Sequence, residues 1–304
     1  LGWFVLIYLI GCRAFTPAVS FAAVCVMAGA NITYELFGHF VNDIHLCFFS
    51  AAILLLLVSR DRMVQIGQWI ILGILIGLGL LSKPTLPVYV WGAILLMIIV
   101  TVRHIRETGE QNLWLNVGTG ALISLVLALI LWLPWFQNPI DNIRLNLEVI
   151  ASNPGKNYAW FHSFSGDLPH VDMALAAGWP ATILLLIGFC VSLFRLQGAR
   201  RLALIGAMMP TMALFGIFAV SFSRLTYPVW FIAALFAFDL LDDIPQEKLR
   251  PWIIGCAGLF FVLFSAQRPL SLTPDPNPKN PAYLPAQVSQ YIQENNLLEK
   301  PADA

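Results

Sequence analysis

Charge is what this sequence has least of. Of 304 residues, 17 are Lys or Arg and 17 are Asp or Glu, 11% in all, and the two signs cancel to a formal net charge of zero. A soluble domain carries charge on about a quarter of its residues. The shortage excludes a nucleic-acid binder working by bulk positive charge, a disordered charged tail, and a water-soluble enzyme built on one core. Cysteine is sparse too. Cys12, Cys25, Cys47, Cys190 and Cys256 sit in or beside apolar runs, and none has CxxC spacing. Buried, reduced thiols are therefore expected rather than a disulfide framework or a zinc site. An internal repeat of the two-halves kind found in many transporters is also missing.

What is present is apolar surface. Hydrophobic residues make up 59% of the chain and the mean hydropathy is +0.76, so lipid rather than a protein core must cover most side chains. The expected fold is an all-α polytopic membrane protein with about ten transmembrane helices. The apolar runs lie near 1–12, 16–34, 44–59, 66–82, 86–102, 113–133, 179–194, 202–220, 225–241 and 252–267. Leu1 already lies inside an apolar run, with no Met and no basic n-region, which is not a signal peptide. The chain is expected to be a piece cut from something longer at its N-terminus. Only Lys83, Pro84 and Thr85 separate 66–82 from 86–102, which predicts a tight helical hairpin. Gly73 and Gly77 supply a small-xxx-small face for close helix packing.

Alternating loops sort the basic residues to two sides. One side collects Arg13, Arg60, Arg62, Arg103, Arg106, Arg195, Arg200, Arg201, Lys248 and Arg250, mostly in short turns. The other holds Lys83, Arg144, Lys156, Arg224, Arg268, Lys279 and Lys300. By the positive-inside rule the first side is cytoplasmic. The opposite side carries a long loop at 134–178 and a tail at 268–304, which divides the chain into a transmembrane domain (1–267) and an extracytoplasmic linker that starts a soluble region (268–304). Asp141 after Asn138-Pro139 caps an expected surface helix over 141–151, with Ile143, Leu147 and Ile150 at helical spacing. Trp132, Trp135, Trp160 and Trp179 flank the loop as interfacial aromatics. Pro274, Pro276, Pro278 and Pro281 make an extended linker, and Leu284, Val288 and Ile292 mark an amphipathic helix beyond it.

No charge falls at the middle of a span, where an ion path would place one. The informative polar residues gather on the outer side: Glu35, His39, Asp43 and His45 between the second and third spans, Lys83 in the hairpin and Arg224 before the ninth span. Lys83 and Arg224 each have a plain reading as snorkelling anchors, and Asp43 as a helix cap. Glu35, His39 and Asp43 fall at i, i+4 and i+8, a spacing that on a continuous helix could hold a divalent metal, the only cofactor the pattern admits. Gly38 interrupts that stretch and favours a turn. Asn31-Ile32-Thr33 fits a glycosylation sequon placed close to the bilayer. Asp239, Asp242 and Asp243 gather at a cytoplasmic helix end and are expected to face water. Taken together, two outer cations at membrane level near a carboxylate suit chemistry on a phosphate held among lipid headgroups. The cations would neutralise a leaving phosphate while a carboxylate takes a proton from an attacking hydroxyl.

The order of motifs resembles the integral membrane glycosyltransferases of the GT-C fold, in particular the polyprenyl-phosphate-sugar branch that includes aminoarabinose transferases and protein O-mannosyltransferases. The residues that carry the resemblance are Phe40-Val41-Asn42-Asp43-Ile44-His45-Leu46 with a run ending in Ser59-Arg60, then Gly77-Leu78-Gly79-Leu80-Leu81-Ser82-Lys83-Pro84-Thr85. Pro134-Trp135-Phe136, Gly178-Trp179-Pro180 and Arg224-Leu225-Thr226-Tyr227-Pro228 follow in order, so the likeness runs over about residues 1–240. The resemblance implies transfer of a hexosyl or pentosyl group from a lipid-linked monophosphate donor to a glycan, lipid or protein acceptor, at the outer face of a bacterial plasma membrane, with no nucleic acid involved. It implies that the principal catalytic carboxylate lies upstream of Leu1. Asp43 takes the second acidic position, Lys83 and Arg224 lie near the donor phosphate, and His45 and Glu35 join the substrate site. The chain departs from the pattern at Ser82, where Thr is usual, and at Pro84, where no proline is expected. The competing readings are a lipid-linked-sugar flippase or other transporter, and a non-catalytic membrane scaffold.

Overall fold

The fold is given by a computed structural model in which residues 1–30, 33, 43–135, 187–188, 190–191, 194, 198–217 and 223–266 are described. Their regular structure is all helical, with no strand among them. The helices are α1 (Gly2–Ala14), α2 (Pro17–Gly29), α3 (Asp43–Val58), α4 (Ile66–Ser82), α5 (Leu86–Thr108), α6 (Gln111–Trp132), α7 (Ala199–Ile217), α8 (Ser223–Asp239) and α9 (Arg250–Ala266). The chain divides into two compact units, Leu1–Ser265 and Ala266–Ala304, and of the second only Ala266 is among the described residues. This is an all-α membrane protein, as the composition requires.

Local chemistry sets the helix ends. Thr16 stands at the N-cap of α2 with Pro17 in the first turn, and its hydroxyl accepts from the Val19 amide. The Gln65 amide donates to Gln68 Oε1 across a capping box that opens α4. Gly109, at φ 71°, takes the left-handed conformation that closes α5. Lys83 ends α4 in an extended conformation, φ −156° and ψ 121°. Pro84 dictates this, because a residue before proline is pushed out of the helical region.

Ten spans are not all present as long helices. Among the described residues, Leu86–Thr108 and Asn112–Trp132 are long and apolar enough to cross a membrane by themselves, while α1 to α4 are shorter. At 1.5 Å per residue, the 13 residues of α1 reach about 20 Å, less than the ~30 Å hydrocarbon layer. The segment 179–194 contributes only five described positions, and the expected surface helix 141–151, Trp160, Trp179 and the tail helix lie outside the described residues.

The central helix is α8. Tyr227 and the whole run from Val229 to Phe238 are buried, which a helix apolar on every face requires. It packs on α2, α3 and α7. By contrast α6 presents Leu115, Leu122, Leu125 and Ile130 outward, each more than half exposed, as a lipid-facing helix should. The expected hairpin is corrected in one respect. The turn at Lys83–Thr85 exists, but α4 packs chiefly on α6, and α5 on α7. The glycine stripe is the cause. Trp69, Gly73 and Gly77 of α4 meet Gly120, Ser124 and Ala128 of α6 in ascending order, so the pair is parallel. A Cβ on Gly73 would lie 2.5 Å from the Ser124 carbonyl oxygen, a contact no side chain tolerates. On the antiparallel α5–α7 pair, a Cβ on Gly92 would lie 2.1 Å from the Gly206 oxygen, and the Thr211 hydroxyl donates to the Val88 and Ala207 carbonyls. Between apolar helices in lipid, such close backbone approach is the source of packing energy.

The five cysteines form no disulfide, as expected, but only Cys25 and Cys47 are buried, whereas Cys190 and Cys256 are exposed. Gly92→Leu is expected to destabilise the bundle at the upper end of the roughly 1–3 kcal/mol typical of overpacking. Gly118→Leu, on a face of α6 where nothing lies within 4 Å, should leave the thermal midpoint in detergent unchanged. Equal midpoints for the two variants would contradict the packing scheme.

Candidate functional site at the Lys83 end of the bundle

The bundle has two polar ends of different character. At one, α7 opens with Arg200 and Arg201, which cap the end of α1. Arg200 Nη1 donates to the Arg13 carbonyl at 2.8 Å, and Arg201 Nε donates to the Ala14 carbonyl at 3.3 Å. These are carbonyls that a helix C-terminus leaves without partners. Arg201 also grips Asp239 with two bonds of 2.9 Å and stacks over the Phe15 ring at 4.6 Å. Arg200 reaches Asp61 at 2.9 Å, and the Thr16 hydroxyl donates to Asp242. The expectation that these aspartates face water is corrected for Asp239. Its side chain is 11% exposed and locked to Arg201, because a bidentate partner makes burial of the carboxylate tolerable. Every basic residue in this network belongs to the set assigned to the cytoplasm.

The other end gathers the starts of α1, α3, α5 and α8 with the close of α4. A Cβ on Gly2 would lie 3.2 Å from the Phe48 ring, and one on Gly79 would lie 3.1 Å from the β-carbon of Phe49. Trp3 is buried, with its ring centroid 5.0 Å from that of Tyr227. This is the end at which Lys83 stands. Lys83 is half-buried, and its amide donates to the Gly79 carbonyl at 2.9 Å. Asp43 is the first residue of α3 and Arg224 the second of α8, so their backbones belong to the same end. His45, the third residue of α3, is exposed. Glu35 and His39 lie outside the described residues, and with them most of the expected metal triad. Among the described residues no cluster of three metal-ligating side chains occurs.

The spacing of Arg224 and Pro228 has a physical consequence. Proline lacks the N–H that would close the helical bond to the carbonyl four residues earlier. The first turn of α8 therefore withholds that bond from the Arg224 carbonyl. One turn further in, sequence reasoning missed a link. The Tyr227 and Thr33 hydroxyls are hydrogen-bonded to each other, and Thr33 Oγ1 donates to the Met27 carbonyl near the end of α2. Both residues are buried. The signal lay within the quoted Arg224–Pro228 stretch, where a tyrosine in an otherwise apolar helix needs a partner for its hydroxyl. Thr33 is accordingly committed to structure, which argues against the sequon reading. Nearby, the Ser82 hydroxyl beside Lys83 is buried with no hydrogen-bond partner among the described residues, as is the Trp3 indole N–H. Buried polar groups of this kind are costly unless something satisfies them.

Residues 3–134 of the 304 match the family model described as dolichyl-phosphate-mannose-protein mannosyltransferase. The similarity takes in α1 to α6, including the positions of Asp43 and Lys83, and leaves out Arg224. No curated protein and no solved structure shows a significant match to the chain.

Tyr227→Phe and Thr33→Val are each expected to cost about 0.6–1.7 kcal/mol, the range for hydrogen bonds between membrane helices. Because they remove the same bond, the double variant should be little worse than either single one. Fully additive losses in thermal unfolding would show that the two hydroxyls are not partners.

Proposed function

We propose that this protein is a membrane glycosyltransferase that moves one sugar from a polyprenyl-phosphate-linked donor to an acceptor on the extracytoplasmic face. The observation that carries the reading is the likeness of residues 3–134 to the mannosyltransferase family, supported by the backbones of Asp43 and Lys83 lying at one end of the bundle. In the proposed reaction an acceptor hydroxyl attacks the anomeric carbon and displaces the polyprenyl phosphate with inversion. Lys83 and Arg224 are assigned to the departing phosphate, where fixed positive charge stabilises the transition state more than the ground state. Asp43 is assigned to organising the acceptor, and His45 and Glu35 to the substrate. A carboxylate base takes the proton of the attacking hydroxyl as the phosphate departs. The acceptor is a glycan, a lipid or a protein.

Among the described residues, charged side chains stand at helix ends and in turns rather than at mid-span, which favours transfer over transport. Asp239 is tied to Arg201 at the end opposite Lys83.

Lys83→Ala and Arg224→Ala, made in the protein as isolated from its native membrane, are each expected to lower kcat/KM by about 30- to 1000-fold, or roughly 2–4 kcal/mol of transition-state stabilisation. Turnover within a fewfold of wild type in both variants would remove the phosphate assignment.

A further inference from the structure

The close of α5 carries a feature that the transfer reaction does not use. At 23 residues this helix is about 34 Å long, more than the ~30 Å hydrocarbon layer requires. Its last turns, Arg103 to Thr108, therefore project into the headgroup zone at the Arg-rich end. Two adjoining clefts of about 370 and 330 Å³ flank them, with Arg103 and Glu107 lining both.

The first cleft has an apolar wall of Ile98, Ile99 and Val102 directly below Arg103 and Arg106. Ile99, Val102, Arg103 and Arg106 recur at helical spacing and share one face, and Ile99 is half exposed. Arg62 and His104 enter from the second cleft, where Arg62 Nη1 donates to His104 Nε2 at 2.8 Å. Three guanidiniums face a single carboxylate, Glu107, which accepts from Arg103 Nε at 2.7 Å. Arg106 is exposed and has no ion-pair partner among the described residues. Glu110, exposed just past the helix, lines neither cleft, and Asp61 is held by Arg200.

We propose that this face of α5 binds an anionic phospholipid of the adjoining leaflet. The phosphate sits between Arg103 and Arg106, and an acyl chain runs along Ile98, Ile99 and Val102. Charge complementarity selects the headgroup, since a net-positive pocket at a membrane edge attracts anionic lipid and gives a zwitterionic one no advantage. The apolar wall selects a lipid over free phosphate. The site lies at the opposite end of the bundle from Lys83 and does not depend on the transferase reading.

The test is thermal protection of the detergent-solubilised protein by mixed micelles containing dioleoylphosphatidylglycerol, compared with dioleoylphosphatidylcholine and with inorganic phosphate. Phosphatidylglycerol is expected to raise the midpoint by several degrees, and the other two are expected to do nothing. In R103Q/R106Q the concentration needed for half-maximal protection should rise about thirtyfold, the size expected for two basic residues near an anionic surface. R60Q, at the same end but outside both clefts, should behave as wild type, and R103K/R106K should recover most of the effect. Equal protection by both lipids, or an unchanged response in R103Q/R106Q, would overturn the site. Protection by inorganic phosphate alone would overturn the role of the apolar wall.

Discussion

The contact on which the bundle depends is the meeting of α5 and α7 backbone to backbone at Gly92 and Gly206. Lipid tails are as apolar as leucine, so helices in a membrane gain little by burying leucine against leucine. They gain by shape, and the tightest shape is a glycine against a carbonyl. The same device at Gly73 and Gly77 lays α4 along α6. With both pairs fixed, α3 packs on α1 and α4 and also meets α5, α7 and α8. The starts of α3 and α8 and the end of α4 then fall at one end of the unit.

That arrangement separates two kinds of charge. At the Arg-rich end, guanidiniums are consumed by structure: Arg200 and Arg201 satisfy the carbonyls that close α1, and Asp239 is buried because Arg201 holds it in two bonds. Among the described residues at the Lys83 end the surroundings are aromatic and apolar, with the rings of Trp3 and Tyr227 packed at a 46° tilt. Pro84 sets Lys83 in an extended backbone just past the helix, and Pro228 withholds a bond from the Arg224 carbonyl.

Much of this was legible in the sequence. The apolar runs locate nine helices among the described residues, and Gly73 and Gly77 announce a close helix contact. The identity of the partner helix was not legible. Adjacency in sequence points to α5, but only the complementary small residues at Gly120, Ser124 and Ala128 show that α6 fits the stripe. Asp239 reads as a surface acid at a helix end, since its partner Arg201 is 38 residues away. Tyr227 reads as one more apolar residue, since Thr33 lies 194 positions earlier. Long-range polar pairing has no periodicity, so a polar group in an apolar helix marks the need for a partner without naming it. The assignments of Asp43, Lys83, Arg224, His45 and Glu35 to substrate rest on motif order, to which the structure adds a shared end of the bundle for the first three.

The central claim is that a sugar is transferred, and not carried across or merely held. The direct measurement reconstitutes the protein from its native membrane into vesicles with a polyprenyl-phosphate-linked sugar labelled in the sugar. The release of free polyprenyl phosphate is followed with and without an extract containing outer-face acceptors. The account predicts that release depends on acceptor and that the label appears in the acceptor in equal amount. Movement of intact labelled lipid from one leaflet to the other, with no polyprenyl phosphate formed, would contradict it.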